Sequence, residues 1–378
     1  MADTSVAEVS ENNVKNEQNI IENNEIDKTK EALSFNPKVL QRQFLDEDYD
    51  SLSETFIHIL MHFRNNTYQR IDKNMQYFIN SFAKNFLYFF TQEEYIPNDV
   101  HMGKFIDLNP VISNIIYISS FRTTDSHLEI LLSQKKNFAK LLAIYSPRNK
   151  TRINRKVLFD TEPNFATQWY FCFLENYKTG CVAENSLVHL REHITYAGAN
   201  LIGINGFIHH AFFGCTYIDH ERDYLLKDRI NKLVRQWEPA KQIVDNKPKA
   251  RAKRKKIGVF SSMWFRRQSV YRSQHPFIEK LAQSYDLTLI HLGPERKDLD
   301  DEVFKDVKNY QITKNPADFS AFSPNEFDVA YFPDIGMNIE SIFLSNIRIA
   351  PVQICNYGHP VSTYGGLIDY WIGGQDGE

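Results

Sequence analysis

Three segments combine side chains and backbone suited to holding an anionic or sugar ligand. The first, 261–275, reads SSMWFRRQSVYRSQH: long, polar, with Arg266, Arg267, Arg272 and His275 ahead of Pro276. A helix beginning at Pro276 would direct its N-terminus at this loop, and a helix N-terminus beside Arg and His suits an anion. The second is 333–338. The third, 356–366, reads NYGHPVSTYGG and offers Gly358 for close backbone approach, His359, and the hydroxyls of Ser362 and Thr363. Hydrogen bonds from such a loop suit a diphosphate or a sugar. Each loop taken alone also reads as ordinary connection, since a loop histidine is commonly just solvated. No GxGxxG occurs, so the dinucleotide fingerprint is missing.

The elements that position these loops are short apolar runs. Residues 257–262, 287–292, 327–332, 350–355 and 370–372 read as strands, with helices over 276–284 and 339–347 between them. Alternation of short buried strands with helices predicts a parallel, doubly wound sheet. In such a sheet ligands bind beyond the carboxyl ends of strands, which is where all three loops fall.

Upstream the texture is helical. Apolar residues recur at three and four through Leu52–Phe63, Met75–Leu87, Leu128–Leu142, Leu187–His193 and Asp219–Trp237. No fixed-period repeat supports a solenoid. These patterns predict a tail over 1–34, a helical domain over 35–240, a linker over 241–256 and an α/β lobe over 257–378. The tail has no aromatic residue and many Asn and Glu, so it buries too little apolar area to order. A solubilising extension is favoured over a docking arm. Within the linker, KPKARAKRKK (247–256) carries seven basic residues. A solvated linker and a nucleic-acid patch are the two readings, and the linker is favoured because the texture changes there.

Composition removes other classes. The 378 residues are 42% hydrophobic and carry a net charge of −3, which is globular and not the profile of a basic nucleic-acid binder. With 28 Phe and 19 Tyr, material for a large core is available. No window has the ~18 consecutive apolar residues of a membrane span. The acidic, amide-rich start lacks a secretory signal. The four cysteines (Cys172, Cys181, Cys215, Cys355) form no CxxC pair, which argues against a zinc ribbon or disulfide framework and points to a reducing, cytosolic compartment.

The ordered set YFPDIGM (331–337), SNIRIAPVQ (345–353), GHPVST (358–363) and IDY (368–370) resembles glycosyltransferase family 41. That family includes the O-GlcNAc transferases and the cytoplasmic bacterial N-glycosyltransferases that glucosylate adhesins. The N-glycosyltransferase branch looks most similar. SVYR (269–272) resembles its S-[IV]-Y-R, and His209-His210 with Cys215–Tyr217 and the charged helix to Trp237 resembles the end of its helical domain. The resemblance covers about residues 200–378; residues 35–200 agree in helical character only.

The resemblance implies a helical domain followed by the first Rossmann-like lobe of a GT-B glycosyltransferase. It implies inverting transfer of a hexose or N-acetylhexosamine from a UDP-sugar to Asn or Ser/Thr of a protein, without metal or other cofactor. Positioning and neutralisation of the leaving diphosphate would carry such chemistry. Residue by residue, His209 matches an acceptor-side histidine, although the Asp that follows it in the branch is here His210. Gly358, His359 and Thr363 match the donor-side turn, and Tyr271 and Arg272 the S-[IV]-Y-R element. Gln268 stands where the family has an active-site histidine, and a glutamine is no general base near neutral pH. His275, seven residues on, is the replacement candidate. The chain also closes at Glu378, where the family crosses into its second lobe. A fragment, a frameshifted product and half of a split enzyme with the second lobe on a separate chain are the readings of that position. The implied partners are the UDP-sugar and an adhesin-like or surface acceptor. The alternative of another class is a non-catalytic binding subunit of a glycosylation system.

Overall fold

The computed structural model describes residues 33–134, 138–181, 183–203, 207–237, 256–312, 321–323, 326–356, 363–364 and 366–373. Most of the tail, the linker's basic run before Lys256, and the Gly358–His359 turn lie outside them.

From Pro37 to Gln236 the described elements are helical: α1 (Pro37–Leu45), α2 (Tyr49–Asn65), α3 (Lys73–Phe90), α4 (Asp99–Asp107), α5 (Asn109–Ile118), α6 (Asp125–Ser133), α7 (Ala139–Ile144), α8 (Arg155–Thr161), α9 (Pro163–Leu174), α10 (Glu184–Thr195), α11 (Ile208–Gly214) and α12 (Tyr224–Gln236). Caps set several starts. Asp48, Asp72 and Asn98 accept the N–H of the third residue on, at 3.2, 2.8 and 2.9 Å. The phenylalanines explain themselves on α3. Phe78, Phe82, Phe86 and Phe90 recur every four residues and form one stacked ridge, with centroids 6.5, 5.9 and 4.8 Å apart. Burying each such ring contributes about 1.5–3 kcal/mol.

From Lys256 the chain is α/β: β1 (Lys256–Ser261), α13 (Ser269–Ala282), β2 (Asp286–Leu292), β3 (Asp306–Tyr310), β4 (Val329–Phe332), α14 (Ile339–Ser345), β5 (Val352–Asn356) and β6 (Tyr370–Ile372). The six strands form one parallel sheet in the order β3-β2-β1-β4-β5-β6. Val259 of β1 sits opposite Leu289 on one side and Tyr331 on the other. This is the doubly wound order of a Rossmann-like lobe, following a helical region, as the resemblance implies.

Alternation along the strands divides the core. One sheet face sends Phe260, Ile290, Leu292 and Phe332 into a cluster continuous with Phe212, Ile230 and Val234 of the helical region. The opposite face sends Val259, Leu287, Leu289 and Tyr331 against Trp264, Tyr271 and Ile278 from α13 and the loop before it. The helical region therefore packs directly on the lobe, and α13 covers the other side.

Three sequence expectations change. Helix α13 begins at Ser269, and Pro276 lies inside it rather than at its start. The proline removes only the N–H that would reach Arg272, a solvent-exposed residue whose carbonyl water can satisfy. Strand β3 was not expected: DVKNY is a polar, half-exposed edge strand that shows no apolar alternation. The pattern over 128–142 resolves into two helices, α6 and α7, separated at Gln134.

Candidate functional site

The strand order reverses between β1 and β4, so a crevice opens beyond their carboxyl ends. Asp334, two residues past β4, is fully buried and ties the two strand ends together. Its Oδ2 accepts the Ser261 hydroxyl (3.0 Å), the Ser262 hydroxyl (3.0 Å) and the Ser262 N–H (2.9 Å). Its Oδ1 finds no partner among the described residues. Burial pushes this carboxyl up to about 6, with the serine hydrogen bonds opposing that rise.

Gly336 follows at φ 95°, a conformation that favours glycine. A Cβ there would meet the Phe212 ring at 2.8 Å, so glycine lets α11 close on the strand end. That approach creates a cavity of about 120 Å³ lined by His209, His210, Phe213, Gly336 and Met337. The two imidazoles lie with centroids 3.8 Å apart. His210 Nδ1 is 2.8 Å from Glu175 Oε1, and Lys178 Nζ is 3.4 Å from the same oxygen. Burial acts to raise Glu175, but the hydrogen bond and charge of His210, with Lys178, outweigh it and hold the carboxyl below its ordinary range. Glu175 and Lys178 also form part of the wall of a second cavity, about 580 Å³, in the helical region, with Arg64, Tyr68 and Asp107. A further cavity of about 310 Å³ opens beyond β1 and β2, between Ser262, Arg296 and Asn338.

The third loop leaves β5 at Asn356, whose amide donates to Gln274 Oε1 (2.6 Å) and to the Tyr331 hydroxyl (2.7 Å). Gly358 and His359 lie outside the described residues. Thr363 is described, and its carbonyl accepts Asn231 Nδ2 of α12 at 2.8 Å, with the Tyr364 carbonyl bound by the same amide. Asn231 Oδ1 in turn accepts the Asn346 amide at 2.8 Å. The helical region thus holds Thr363 and Tyr364, late in the segment that follows β5.

The predicted site residues do not all converge. His209 stands at the crevice, and Thr363 is held by α12. Tyr271 is buried on the α13 side, its hydroxyl donating to Asp300 at 2.7 Å, and burial with that bond pushes it up to about 12. Arg272 is exposed on α13. His275 lies over Tyr271 and Trp264, centroids 4.7 and 6.4 Å away, with Nδ1 3.6 Å from Glu279. That is the sheet face opposite the α11 cavity, so the structure does not bring His275 to His209. The reason is the early start of α13, which makes His275 a mid-helix residue packed on the core. Gln268 is the half-buried residue before α13 and caps nothing with its side chain. A larger cavity of about 840 Å³ lies on this α13 face between Phe277, Leu281, Val329, Ile354 and Ile372 and is almost wholly apolar.

Sequence reasoning missed Asp334, Glu175 and Asn231. Asp334 lay in the quoted YFPDIGM motif, and its acid before a glycine turn was the available signal. Glu175 and Asn231 belong to helical segments whose polar residues look alike until the fold selects them.

No family model matches the chain. Among curated proteins it is similar to the UDP-glucose:protein N-beta-glucosyltransferase of Actinobacillus pleuropneumoniae serotype 5b, 24% identical over 260 residues, which is 65% of this chain and 42% of that protein. The enzyme of the same name from serotype 7 is 42% identical over 53 residues, 14% of this chain and 8% of that one. The matched span is therefore less than half the length of these relatives. A solved variant of the Thermobaculum terrenum O-GlcNAc transferase aligns with 85% of this chain and 54% of its own, at 12% identity and a TM-score of 0.39. The sequence is thus similar to that of bacterial protein N-glucosyltransferases, in agreement with the resemblance to glycosyltransferase family 41 that its motifs carry.

Proposed function

We propose that this chain supplies the acceptor-side helical domain and the first nucleotide-type lobe of a protein glycosyltransferase. The whole protein would move a hexose or N-acetylhexosamine from a UDP-sugar to Asn or Ser/Thr of a cytoplasmic, adhesin-like acceptor, with inversion and without a metal. The observation that carries this reading is the meeting of His209 and His210 with Gly336 and Met337 at the β1/β4 switch point. A helix from one region and a strand end from another there frame a small cavity, with two imidazoles in an otherwise apolar wall, beside the crevice where a doubly wound sheet takes its ligand. The curated relatives support the same class. Asn is favoured as acceptor because both are named N-glucosyltransferases.

In this reading the chain's own residues position the acceptor and shape the crevice, while the UDP-sugar supplies the leaving group. Calorimetric titration of the chain with an Asn-X-Thr peptide, UDP, UDP-glucose and UDP-N-acetylglucosamine tests it. A transfer assay by mass spectrometry, with the chain alone and joined to the second lobe of a relative, completes the test. Peptide binding by the chain and transfer by the joined protein are expected. Failure of both would reject the reading. Peptide binding with no transfer in either form would favour the non-catalytic binding subunit.

A further inference from the structure

The Glu175–His210 contact carries more than a surface ion pair. Glu175 opens the 3-10 turn Glu175–Thr179 at the end of α9, and its side chain is only 14% exposed. Its carboxylate is held ionised, so it can only accept hydrogen bonds. The Nδ1 of His210 approaches it to 2.8 Å, a distance at which a ring lone pair would be repelled by the carboxylate, so a proton on Nδ1 is the arrangement that suits this contact. Lys178 Nζ lies 3.1 Å from the same Nδ1, but an ammonium cannot donate to a nitrogen that already bears hydrogen. Lys178 instead serves Glu175, at 3.4 Å. The shorter contact decides the tautomer. With Nδ1–H fixed, the lone pair of the neutral ring resides on Nε2.

We propose that Glu175 is a positioning residue of the acceptor site: it locks His210 in the Nδ1–H tautomer, so that Nε2 accepts a hydrogen bond from the acceptor side chain entering the α11 cavity. This rests on the functional reading above and assigns residues within it. His210 lines that cavity beside His209, and a carboxylate behind an imidazole orients the ring and fixes its tautomer. The sequence offers no carboxylate at residue 210, the neighbour of His209; the fold supplies one from thirty-five positions upstream. The wall formed by Glu175 and Lys178 also borders the 580 Å³ cavity, where Arg64, Tyr68 and Asp107 offer polar groups to residues flanking the acceptor.

The test uses the full chain labelled with 15N-histidine, near neutral pH. The ring-nitrogen shifts of His210, assigned with H210A, are expected to report Nδ1–H in the wild type and in E175D. In E175L they are expected to move to the Nε2–H form that unconstrained histidine prefers. Calorimetry with the Asn-X-Thr peptide is expected to show about tenfold weaker binding for E175L and for H210A, equivalent to about 1.4 kcal/mol. The double variant is expected to bind no more weakly than H210A, because both changes remove one device. E175D is expected to retain most of the affinity. A wild-type Nε2–H signal overturns the proposal, as does wild-type affinity in E175L or fully additive losses. If the wild type binds no peptide while Nδ1–H is observed, the functional reading fails and Glu175 is left with a structural role only.

Discussion

The Arg348 guanidinium lies 2.6 Å from Oδ2 of Asp369, and that same oxygen accepts the backbone N–H of Gln353 at 2.8 Å. Gln353 continues the lock. Its Oε1 accepts the N–H of Ile349 (2.7 Å), its Nε2 donates to the Leu367 carbonyl (2.6 Å), and its own carbonyl takes the Asp369 N–H (2.8 Å). Three residues that carried the family resemblance therefore tie the approach to β5 to the approach to β6.

That lock has a measurable strength. D369A leaves the Gln353 N–H and a partly buried guanidinium without their acceptor, and is expected to cost about 1.5–3 kcal/mol. R348A removes one of the two donors to that carboxylate and leaves the Gln353 N–H bond in place, and is expected to cost about 1 kcal/mol or less. Urea unfolding of the two variants checks the order. An R348A loss larger than that of D369A would show that the carboxylate is not the hub.

Asp334 predicts a pH dependence of opposite sign to the usual carboxylate. Its folded value, about 6, is raised above the ordinary 3.8 by burial. The folded state thus holds the proton more tightly, and this contribution to stability is complete below pH 3.8 and lost as pH rises through 6. At 1.36 kcal/mol per unit the span is about 3 kcal/mol. D334N removes the titration, so urea midpoints of wild type minus D334N are expected to fall between pH 4 and pH 7. A difference independent of pH would rule out a buried titrating carboxyl here.

The layers were readable in the sequence because each depends on local pattern. Helical spacing marked α2, α3 and α12, and short apolar runs marked β1, β2, β4 and β5. The edge strand β3 escaped because its exposed and half-buried positions mix Asp306, Val307, Lys308 and Asn309, so no alternation identifies it. The start of α13 was misplaced because a proline is a strong helix-start signal. Packing against the sheet overrode it, with Val270, Tyr271, Gln274 and Ile278 all buried. The site was legible only in part. His209 could be named from its motif, but the carboxylate behind His210 comes from a turn far upstream, and long-range proximity leaves no mark on local spacing.

The helical core predicts an acid-side transition of its own. His193 is wholly buried, with Tyr170 and Phe173 rings stacked at 4.2 and 4.4 Å, and Nε2 donates to the Tyr170 carbonyl at 2.8 Å. Burial pushes its imidazole well below 6.5. The unfolded chain takes up the proton first, so this residue's contribution is complete above pH 6.5 and lost as pH falls below it. His189, pushed down to about 4 chiefly by burial, acts in the same direction. H193F keeps the ring stack and forfeits the hydrogen bond. It is expected to be less stable than wild type at pH 7.5, with the gap closing as pH falls below 6.5, as followed by thermal melts across that range.

Gly336 couples the lobe to α11, and that coupling can be measured by a double-mutant cycle. G336A places a Cβ 2.8 Å from the Phe212 ring and forces a non-glycine residue to φ 95°. Backbone strain of this kind costs about 1–3 kcal/mol. The steric part falls on Phe212, two residues beyond His210, so the expected consequence is outward displacement of α11 and of both imidazoles. F212A alone is expected to cost about 3–5 kcal/mol through its cavity. In the double variant the new methyl occupies part of the space that Phe212 vacates. The sum of the single losses should therefore exceed the double loss by about 0.5–3 kcal/mol, the range for residues in contact. Denaturant unfolding of the four proteins measures this term, and additivity would mean that glycine serves the backbone conformation alone. Peptide titration adds the functional arm: G336A is expected to weaken binding because His209 and His210 are carried away from Met337, the opposite wall of their cavity.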